Sequence, residues 1–450
     1  MQEPIFQKND RNSGGRRIAF HNLGCKVNSY ETEAMLRQMM ERGYDIVPFE
    51  PGADIYVINT CTVTNIADRK SRQMLHRAKA MNPAALVVAV GCYAQVQGEA
   101  LLEDESVDLV IGNDEKASLP ERIEEYLSGC AGSFFVRDIS RSESFEELPC
   151  GGYSEKTRAF IKIEDGCNQF CSYCLIPYAR GRVRSRSRGA ILEEARRLAD
   201  EGFREIVLTG IHLASFGSDE ASDAGLRNDY GQPLGELLTL LDNIDGISRI
   251  RLGSLEPRII TPSYARALAG IKKLCPHFHL SLQSGSDTVL KRMNRHYTAQ
   301  AFYEEMEMLR EAFDDPALTT DVIVGFPGET EEEFEETLRF LEKASFYQTH
   351  IFRYSRRKGT PADTMPGQIP EALKAKRGER LAALNAVNKR LFEERLTGSV
   401  KEVLLEERDA SDPSCWLGHT PEYVMLKVAA PEASSGDIIR IRVEKEMLIK

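Results

Sequence analysis

The sequence predicts an α/β protein of three parts: an N-terminal open parallel α/β domain, a central partial TIM-like barrel of (β/α)6 type, and a small C-terminal β-barrel. Two long stretches in which apolar, strand-like runs alternate with helical patterns predict the first two parts. A final stretch of short alternating strands predicts the third part. At 450 residues the chain is too long for one ordinary core, so several domains are expected.

The first part covers residues 17–125 and follows a polar segment, residues 1–16, that we expect to be a disordered tail. Its predicted strands are RIAFHN, DIYVINT, LVVAVG and VDLVIG, and its predicted helices are ETEAMLRQMMERG and ADRKSRQMLHRAKAM. Strand–helix alternation favours a parallel sheet. Residues 126–155 are polar, with scattered Gly and Ser, and are predicted to form a connector that ends in a short hairpin or loop.

The second part, residues 156–385, repeats the alternation with six predicted strands: RAFIKI, REIVLTG, RIRLGS, HFHLSL, LTTDVIVGF and THIFRY. Six βα units indicate an open or partial barrel. The highly charged pattern EALKAKRGERLAALNAVNKRLFEERL predicts a linking helix. Residues 386–450 are interpreted as the end of that helix and a small β-barrel, with predicted strands VKEVLLEE, EYVMLKVAA and DIIRIRVEKE.

Composition limits the function classes. The chain has 42% hydrophobic and 28% charged residues and no apolar run of 18 residues, so we expect a globular, cytoplasmic protein without a membrane span or signal peptide. In a reducing compartment, clustered cysteines are expected to bind metal or to act in catalysis. The net charge of −11 argues against a protein coated with nucleic acid and leaves room for a local basic patch.

Three cysteines, Cys167, Cys171 and Cys174, follow the predicted strand RAFIKI at relative positions 0, +4 and +7. One face of a buried helix would give the same spacing, but Gly166 before the motif, Asn168 and Gln169 within it and Pro177 after it disfavour a continuous helix. Soft thiolates select iron–sulfur clusters or zinc. Because no fourth Cys or His lies between Cys174 and His212, we favour a cubane cluster with one iron left open.

A second set of cysteines, Cys25, Cys61 and Cys92, is dispersed in the sequence. Each lies just beyond the C-terminal end of a predicted strand. Ligand sites on open parallel sheets gather at that edge, so we expect the three thiols to converge. The alternative is three unrelated buried cysteines.

The Cys-x3-Cys-x2-Cys motif, with Tyr173 before its last cysteine, resembles the radical S-adenosylmethionine (SAM) superfamily. The resemblance implies that the open iron binds SAM and that one electron cleaves SAM to methionine and a 5′-deoxyadenosyl radical. SLQSGSD and IVGFPGE resemble the SAM-contacting strand ends of that superfamily. They imply SAM contacts at Gln283, Ser284, Gly285, Gly325 and Gly328. An ordinary Gly-Phe-Pro-Gly turn is the alternative for the last two.

The stretches NLGCKVNSYET, INTCTVTN and VGCYAQ resemble the N-terminal domain of the methylthiotransferases. That resemblance implies an auxiliary 4Fe–4S cluster on Cys25, Cys61 and Cys92, and therefore two 4Fe–4S clusters in all. GHTPEYVMLKV resembles a TRAM domain, which is associated with RNA binding. Trp416 and Tyr423 would stack on bases there or, alternatively, fill the core of the small barrel.

The GCKVN motif resembles the MtaB type, which methylthiolates C2 of N6-threonylcarbamoyladenosine at position 37 of tRNA. The resemblance implies tRNA as substrate and an electron donor such as flavodoxin or ferredoxin. Three alternatives stay open: a MiaB-type tRNA methylthiotransferase, a RimO-type ribosomal-protein methylthiotransferase, and a non-catalytic iron–sulfur RNA-binding redox sensor.

An arginine run, PYARGRVRSRSRG, follows the motif of Cys167, Cys171 and Cys174. Period-two spacing would put all five arginines on one side of an extended segment. A solvated charge run is the alternative. Because the run borders the expected site, we predict that it neutralises RNA phosphates. The residues concerned are Arg180, Arg182, Arg184, Arg186 and Arg188.

Overall fold

The structure is a computed structural model that describes residues 15–130, 132–148, 157–219 and 231–449. Most of the predicted tail, residues 131 and 149–155 of the predicted connector, and residues 156 and 220–230 of the predicted central part lie outside the described residues. None of the helices in the described ranges is both long enough and apolar enough to cross a membrane.

The N-terminal domain is an open sheet of parallel strands, as the alternation predicted. The order in the sheet is β2-β1-β3-β4-β5-β6, and all four predicted strands are present. Two further short strands extend its edges, and β6 comes from the predicted connector. The elements are β1 (Arg17–Asn22), α1 (Lys26–Glu41), β2 (Asp45–Ile46), β3 (Ile55–Thr60), α2 (Asn65–Met81), β4 (Leu86–Gly91), α3 (Cys92–Gln97), β5 (Leu109–Ile111), α4 (Leu119–Leu127) and β6 (Phe134–Phe135).

The two central strands of this sheet, β3 and β4, are buried along their whole length. Helices cover both faces: α1 and α4 pack on one side, and α2 and α3 pack on the other. A strand buried on both faces needs a nearly continuous apolar sequence, which IYVINT and LVVAVG supply. The functional consequence is that only the edge formed by the strand ends remains available for a site.

The central domain is an open barrel built from six predicted strands, all of which are present. Gly253 divides the third strand into β11 and β12, which pair with β10 and β13 respectively. The elements are β7 (Arg158–Lys162), β8 (Glu164–Asp165), α5 (Ile176–Arg180), β9 (Arg184–Ser185), α6 (Arg188–Asp200), β10 (Glu205–Thr209), α7 (Gln232–Asp242), β11 (Arg249–Leu252), β12 (Ser254–Leu255), α8 (Pro262–Ala269), β13 (His277–Gln283), α9 (Asp287–Arg292), α10 (Ala299–Ala312), β14 (Ala317–Val324), α11 (Glu331–Ala344), β15 (Gln348–Arg353), α12 (Pro361–Thr364) and α13 (Glu371–Arg395).

The barrel strands place apolar side chains outward and polar side chains inward. Ile206 and Leu208 of β10 join the large core under the outer helices. Glu205, on the same strand, forms an inward ion pair with Arg251 at 3.0 Å. Strand alternation explains this division, because successive side chains point to opposite faces. The lumen is therefore polar and suited to a polar ligand.

The C-terminal domain is an antiparallel sheet of order β18-β17-β16-β19, reached through the long helix α13. Its strands are β16 (Val400–Asp409), β17 (Asp412–His419), β18 (Met425–Ala429) and β19 (Ile438–Arg442). Strand β17 was not predicted. The antiparallel strands agree with the small barrel that the sequence predicts.

A loop of this domain closes the N-terminal mouth of the barrel. Arg249 donates to the His419 carbonyl at 3.0 Å, and Arg158 donates to the Tyr423 hydroxyl at 2.6 Å. Trp416 is buried in the domain core, and Tyr423 stacks on His419. Trp416 thus fills the core of the small domain, as the core alternative predicts, whereas Tyr423 contacts the mouth of the central barrel. Both rings are engaged in protein contacts, which disfavours base stacking.

Candidate functional site

The first candidate site lies at the C-terminal edge of three adjacent strands. Cys25 follows β1, Cys61 follows β3 directly, and Cys92 is the first residue after β4. Gly24 has φ +112°, and a Cβ added there would lie 3.0 Å from the Cys61 sulfur. Glycine at this position therefore lets the loop that carries Cys25 approach Cys61 closely.

Electrostatics indicate that these three thiols are neighbours. The pKa of Cys61 is raised to about 12, first by burial, and the charges of Cys92 and Cys25 are among the causes. The pKa of Cys25 is also raised, first by burial, and Cys92 contributes. Three thiols that oppose one another's ionisation need a bound cationic group to become thiolates together.

The second candidate site is the loop after β7. The Cys167 amide donates to the Gly181 carbonyl at 3.1 Å, and the Cys174 amide donates to the Cys171 carbonyl at 3.0 Å. Burial raises the pKa of Cys174 to about 12, with the charge of Cys171 as the next cause. The pKa of Cys167 is raised by burial and also by Cys174 and Cys171. The loop thus gathers its three thiols as the motif predicted.

The two thiol sets face each other across the domain boundary. Helix α3, which begins at Cys92, packs on α5, which follows Cys174. Asn113 joins the two sides by donating to the Ala179 carbonyl at 2.7 Å. The charge of Cys92 also contributes to the raised pKa of Cys174. A substrate between the domains would therefore meet both sites.

An arginine donates a hydrogen bond to a cysteine sulfur in each set. Arg180 Nε lies 3.3 Å from the Cys92 sulfur, and an Arg295 guanidinium nitrogen lies 3.3 Å from the Cys171 sulfur. Such hydrogen bonds stabilise thiolates and tune the reduction potential of iron–sulfur clusters. Sequence reasoning missed Arg295 because 124 residues separate it from Cys171.

Arg180 sits in a buried ionic network and is fully inaccessible to solvent. It donates to Glu31 at 2.7 Å and to Asp165 at 3.0 Å, and Lys162 contacts the same two carboxylates. Burial raises the pKa of Glu31, but Arg180, Lys116 and Lys162 outweigh burial and hold it well below 4.5. Removing one partner from such a network costs about 3–5 kcal/mol, so Arg180 cannot turn outward to meet RNA.

The arginine run therefore differs from the exposed row that the sequence predicted. Arg184 is buried and donates to backbone carbonyls, and Arg186 is buried against Glu194. Arg188 pairs with Glu236 at 2.8 Å and is partly exposed. Arg182 is exposed and lies over the Phe170 ring at 4.6 Å. The segment is not one extended strand, because α5 ends at Arg180 and α6 begins at Arg188.

The predicted SAM contacts lie at the ends of β13 and β14. Gln283 has φ +70°, an uncommon conformation for a residue other than glycine, and it ends β13 beside a register shift. Ser284 is buried, and its hydroxyl lies 3.2 Å from that of Thr337. Backbone strain of this kind concentrates at ligand sites, which makes Gln283 the strongest of these candidates.

The glycines at these strand ends are also explained by packing within the chain. A Cβ on Gly285 would lie 2.7 Å from the Phe340 Cβ, and one on Gly325 would lie 2.4 Å from Lys374. Gly325 also donates its amide to Glu329 at 2.6 Å. Gly328, with φ +74°, is less crowded, because an added Cβ would meet only Arg292 Nε, at 3.9 Å. Of the three, Gly328 thus has the most room for a ligand.

Both thiol sets fit a 4Fe–4S cluster by their donor chemistry. Each supplies three soft sulfur ligands, and each has a nearby arginine that compensates negative charge. In the loop of Cys167, Cys171 and Cys174, the Ile176 amide also donates to the Cys174 sulfur at 3.4 Å. A cubane held by three thiolates leaves one iron available to another ligand.

Comparison with known proteins decides the family. The Radical SAM superfamily model matches residues 161–341, and the model of Uncharacterized protein family UPF0004 matches residues 17–112. The threonylcarbamoyladenosine tRNA methylthiotransferase MtaB of Bacillus subtilis strain 168 is 40% identical over 431 residues, covering 95% of this chain and 94% of the relative. The chain belongs to the radical SAM methylthiotransferase family.

Other relatives in this family are named for a different substrate. The tRNA-2-methylthio-N(6)-dimethylallyladenosine synthase of Pelotomaculum thermopropionicum is 38% identical, covering 86% of each chain. Among solved structures, the radical SAM methyltransferase TsrM of Kitasatospora setae has a TM-score of 0.58 at 15% identity, covering 78% of this chain and 77% of that one. This structural likeness supports the fold.

Proposed function

We propose that this chain is a tRNA methylthiotransferase that replaces the C2 hydrogen of N6-threonylcarbamoyladenosine at position 37 with a methylthio group. The observation that carries the proposal is the opposition of two three-thiol sets across α3 and α5. The relative named for this substrate, 40% identical over nearly the whole chain, supports it.

The two sites have different tasks. Cys167, Cys171 and Cys174 would hold the cluster that binds SAM. Cys25, Cys61 and Cys92 would hold the auxiliary cluster. When bound, the cluster on Cys167, Cys171 and Cys174 would, with SAM, supply the radical chemistry that removes an unactivated hydrogen. The auxiliary cluster would bind the sulfur that is transferred.

The SAM pocket is assigned to the strand ends above the barrel. The left-handed conformation of Gln283 and the loose packing at Gly328 support contacts there. The other residues that we assign to the SAM pocket, Ser284, Gly285 and Gly325, lie beside Gln283 or close to Gly328 in the sequence. Arg295 binds Cys171 and the Ser281 carbonyl, so it would hold the cluster loop against β13.

RNA is assigned to the exposed cations near both sites. Arg182 is exposed and Arg188 is partly exposed, and Arg353 and Lys358 at the end of β15 are exposed as well. Exposed cations neutralise phosphates at little desolvation cost, whereas Arg180, Arg184 and Arg186 already have buried partners. A base in an anticodon loop is single-stranded, so it can enter a pocket without the opening of a duplex.

The reaction needs an electron from outside the chain. We assign this role to a small donor such as flavodoxin or ferredoxin, and we assign the activity to the cytoplasm, where tRNA is modified. Supporting the second assignment, none of the described cysteines is in a disulfide.

Expression in a host that lacks its own methylthiotransferases tests the proposal. We expect mass spectrometry of tRNA nucleosides to show 2-methylthio-N6-threonylcarbamoyladenosine, with isopentenyladenosine unchanged. Expression of the Cys171→Ala variant is the matched control and should leave both nucleosides unmodified. Unchanged tRNA together with a methylthiolated ribosomal-protein aspartate would contradict the proposal and favour the RimO-type alternative.

A further inference from the structure

A loop of the barrel domain contacts both cysteine sites. It leads from β15 into α12, and we call residues 357–362 of this loop the bridge segment. At its start, the Arg357 side chain hydrogen-bonds to the N-terminal domain directly after Cys61. At its end, the Ala362 amide donates to the Ser172 carbonyl, inside the cysteine loop of the barrel, at 2.8 Å. One short segment therefore joins the two thiol sets.

Arg357 makes several buried contacts with the start of α2. Its guanidinium donates to the Thr62 hydroxyl at 2.6 Å and to the Asn65 side-chain oxygen at 2.7 Å, and it lies 2.8 Å from an Asp68 oxygen. The Arg357 side chain is 4% exposed, and Thr62 is fully buried. The Thr62 hydroxyl also donates to Asp68 at 2.8 Å, which closes the network. Since Thr62 directly follows Cys61, this charge-assisted network fixes the backbone that carries the Cys61 thiol.

The opposite end of the bridge segment packs against the cysteine loop of the barrel. Ala362 is fully buried, and Tyr173 of the cysteine loop packs against the same small apolar core. Between the two ends, Pro361 has a restricted φ at the first turn of α12. The Arg357 carbonyl accepts from both the amide and the hydroxyl of Thr360, at 3.0 and 2.7 Å. The bridge segment is therefore a stiff connection between the two cysteine loops.

Arg357 complements Arg180, the other buried arginine that reaches the auxiliary site from the barrel domain. Arg180 donates to the Cys92 sulfur at 3.3 Å and to the Asn28 side chain of α1 at 2.7 Å. Helix α1 begins directly after Cys25, and Arg357 binds the residue after Cys61. Together the two arginines contact the three segments that carry the auxiliary thiols Cys25, Cys61 and Cys92.

Transfer of a methylthio group requires a fixed separation between the two sites. The carbon radical formed on the adenine must meet the sulfur held at the auxiliary site before it takes a hydrogen atom back. A misplacement of about 1 Å can slow such a step by about 100-fold. Cleavage of SAM, by contrast, depends on the SAM site alone. A residue that sets the separation should therefore change the yield of methylthiolated product per SAM cleaved.

We propose that Arg357 is a positioning residue that, through the bridge segment, sets the separation between the two cluster sites. This inference rests on the proposed function and assigns the contact between the domains a role in coupling its two steps. The alternative is that the cations of this loop bind RNA phosphates. The neighbouring Arg356 separates the two explanations, because it is exposed and pairs with Asp363 of its own loop at 3.0 Å.

The test uses reconstituted full-length enzyme with the anticodon stem-loop RNA. We expect Arg357→Met to keep about eight iron atoms per chain and the wild-type rate of SAM cleavage. The amount of methylthiolated RNA per 5′-deoxyadenosine should fall roughly 100-fold. Pulsed electron paramagnetic resonance of the reduced enzyme should show a broader distribution of magnetic coupling between the two clusters. Arg356→Met is the matched control and should leave the product ratio and the coupling unchanged.

Thr62→Val is a milder second variant, because it removes one hydrogen-bond acceptor and keeps the guanidinium. It should lower the same product ratio by a smaller factor. It should also add little to the effect of Arg357→Met, because the two side chains act through one contact. If Arg357→Met does not fold, the product ratio and the magnetic coupling of Thr62→Val decide the outcome.

Three results would overturn the inference. The first is an unchanged product ratio in folded Arg357→Met or, where that variant does not fold, in Thr62→Val. The second is an equal fall in Arg356→Met, which indicates a contact with RNA phosphate. The third is loss of auxiliary iron in Thr62→Val, which would make the contact a requirement for cluster assembly. A wild type that forms no methylthiolated RNA would instead overturn the proposed function, whereas the magnetic coupling, which needs no RNA, still tests the spacing.

Discussion

Replacing Cys171 with alanine is expected to abolish reductive cleavage of SAM. Cys171 is one of three thiols in its loop and receives a hydrogen bond from Arg295. Two remaining thiolates cannot hold a cubane that has an open iron for SAM. Anaerobic reactions with dithionite should therefore yield no 5′-deoxyadenosine above background, and the iron content should fall by about four atoms per chain.

Cys415→Ala is the matched control for this experiment. Cys415 lies on β17 of the C-terminal domain, away from both thiol sets, and contacts Asp412. The control should retain full iron content and full cleavage. Cleavage that persists in the Cys171 variant would refute its assignment as a cluster ligand.

Replacing Cys61 with alanine is expected to separate the two activities. The auxiliary site loses one of its three thiols, while the loop that holds Cys167, Cys171 and Cys174 is untouched. Formation of 5′-deoxyadenosine should remain, because SAM binds at the other cluster. Methylthiolated RNA should disappear, because the sulfur has no place to bind. Both products can be measured in the same reaction by liquid chromatography and mass spectrometry.

The cluster content of the Cys61 variant decides how its result is interpreted. Electron paramagnetic resonance of the reduced protein should show the SAM-responsive cluster at wild-type intensity. If that cluster is intact and both activities fall together, the separate roles of the two sites are contradicted. The non-catalytic redox sensor is contradicted by any RNA-dependent product from the wild type.

Cysteine convergence could be predicted from the sequence because strand ends of a parallel sheet share one edge. Cys25, Cys61 and Cys92 follow β1, β3 and β4, which are neighbours in the sheet. For Cys167, Cys171 and Cys174, the short spacing in the sequence was enough to predict that the three thiols lie close together. In both cases local sequence determines backbone position, and backbone position determines where the sulfur lies.

The burial of most arginines in the run could not be predicted from the local sequence. No acidic residue interrupts it, so it resembles a solvated row of charges. The partners of Arg180 come from α1 and β8, and those of Arg186 are Glu147 and Glu194. Long-range partners decide whether a charge is buried, and period-two spacing carries no information about them.

Two further features depend on tertiary contacts. Arg295 carries no motif in the sequence, and only tertiary packing brings it to Cys171 and to the Ser281 carbonyl. Strand β17 was missed because Asp, Pro, Ser and Gly weaken the strand pattern of DPSCWLGH. Its pairing with β16 overrides this weak local preference.

The most direct measurement uses a stem-loop RNA with deuterium at C2 of N6-threonylcarbamoyladenosine. The reconstituted enzyme is mixed with this RNA, SAM and reductant, and both products are analysed by mass spectrometry. The proposed function predicts deuterium in 5′-deoxyadenosine and a methylthio group on the RNA that has lost its deuterium. Unlabelled 5′-deoxyadenosine together with RNA that keeps its deuterium would contradict it.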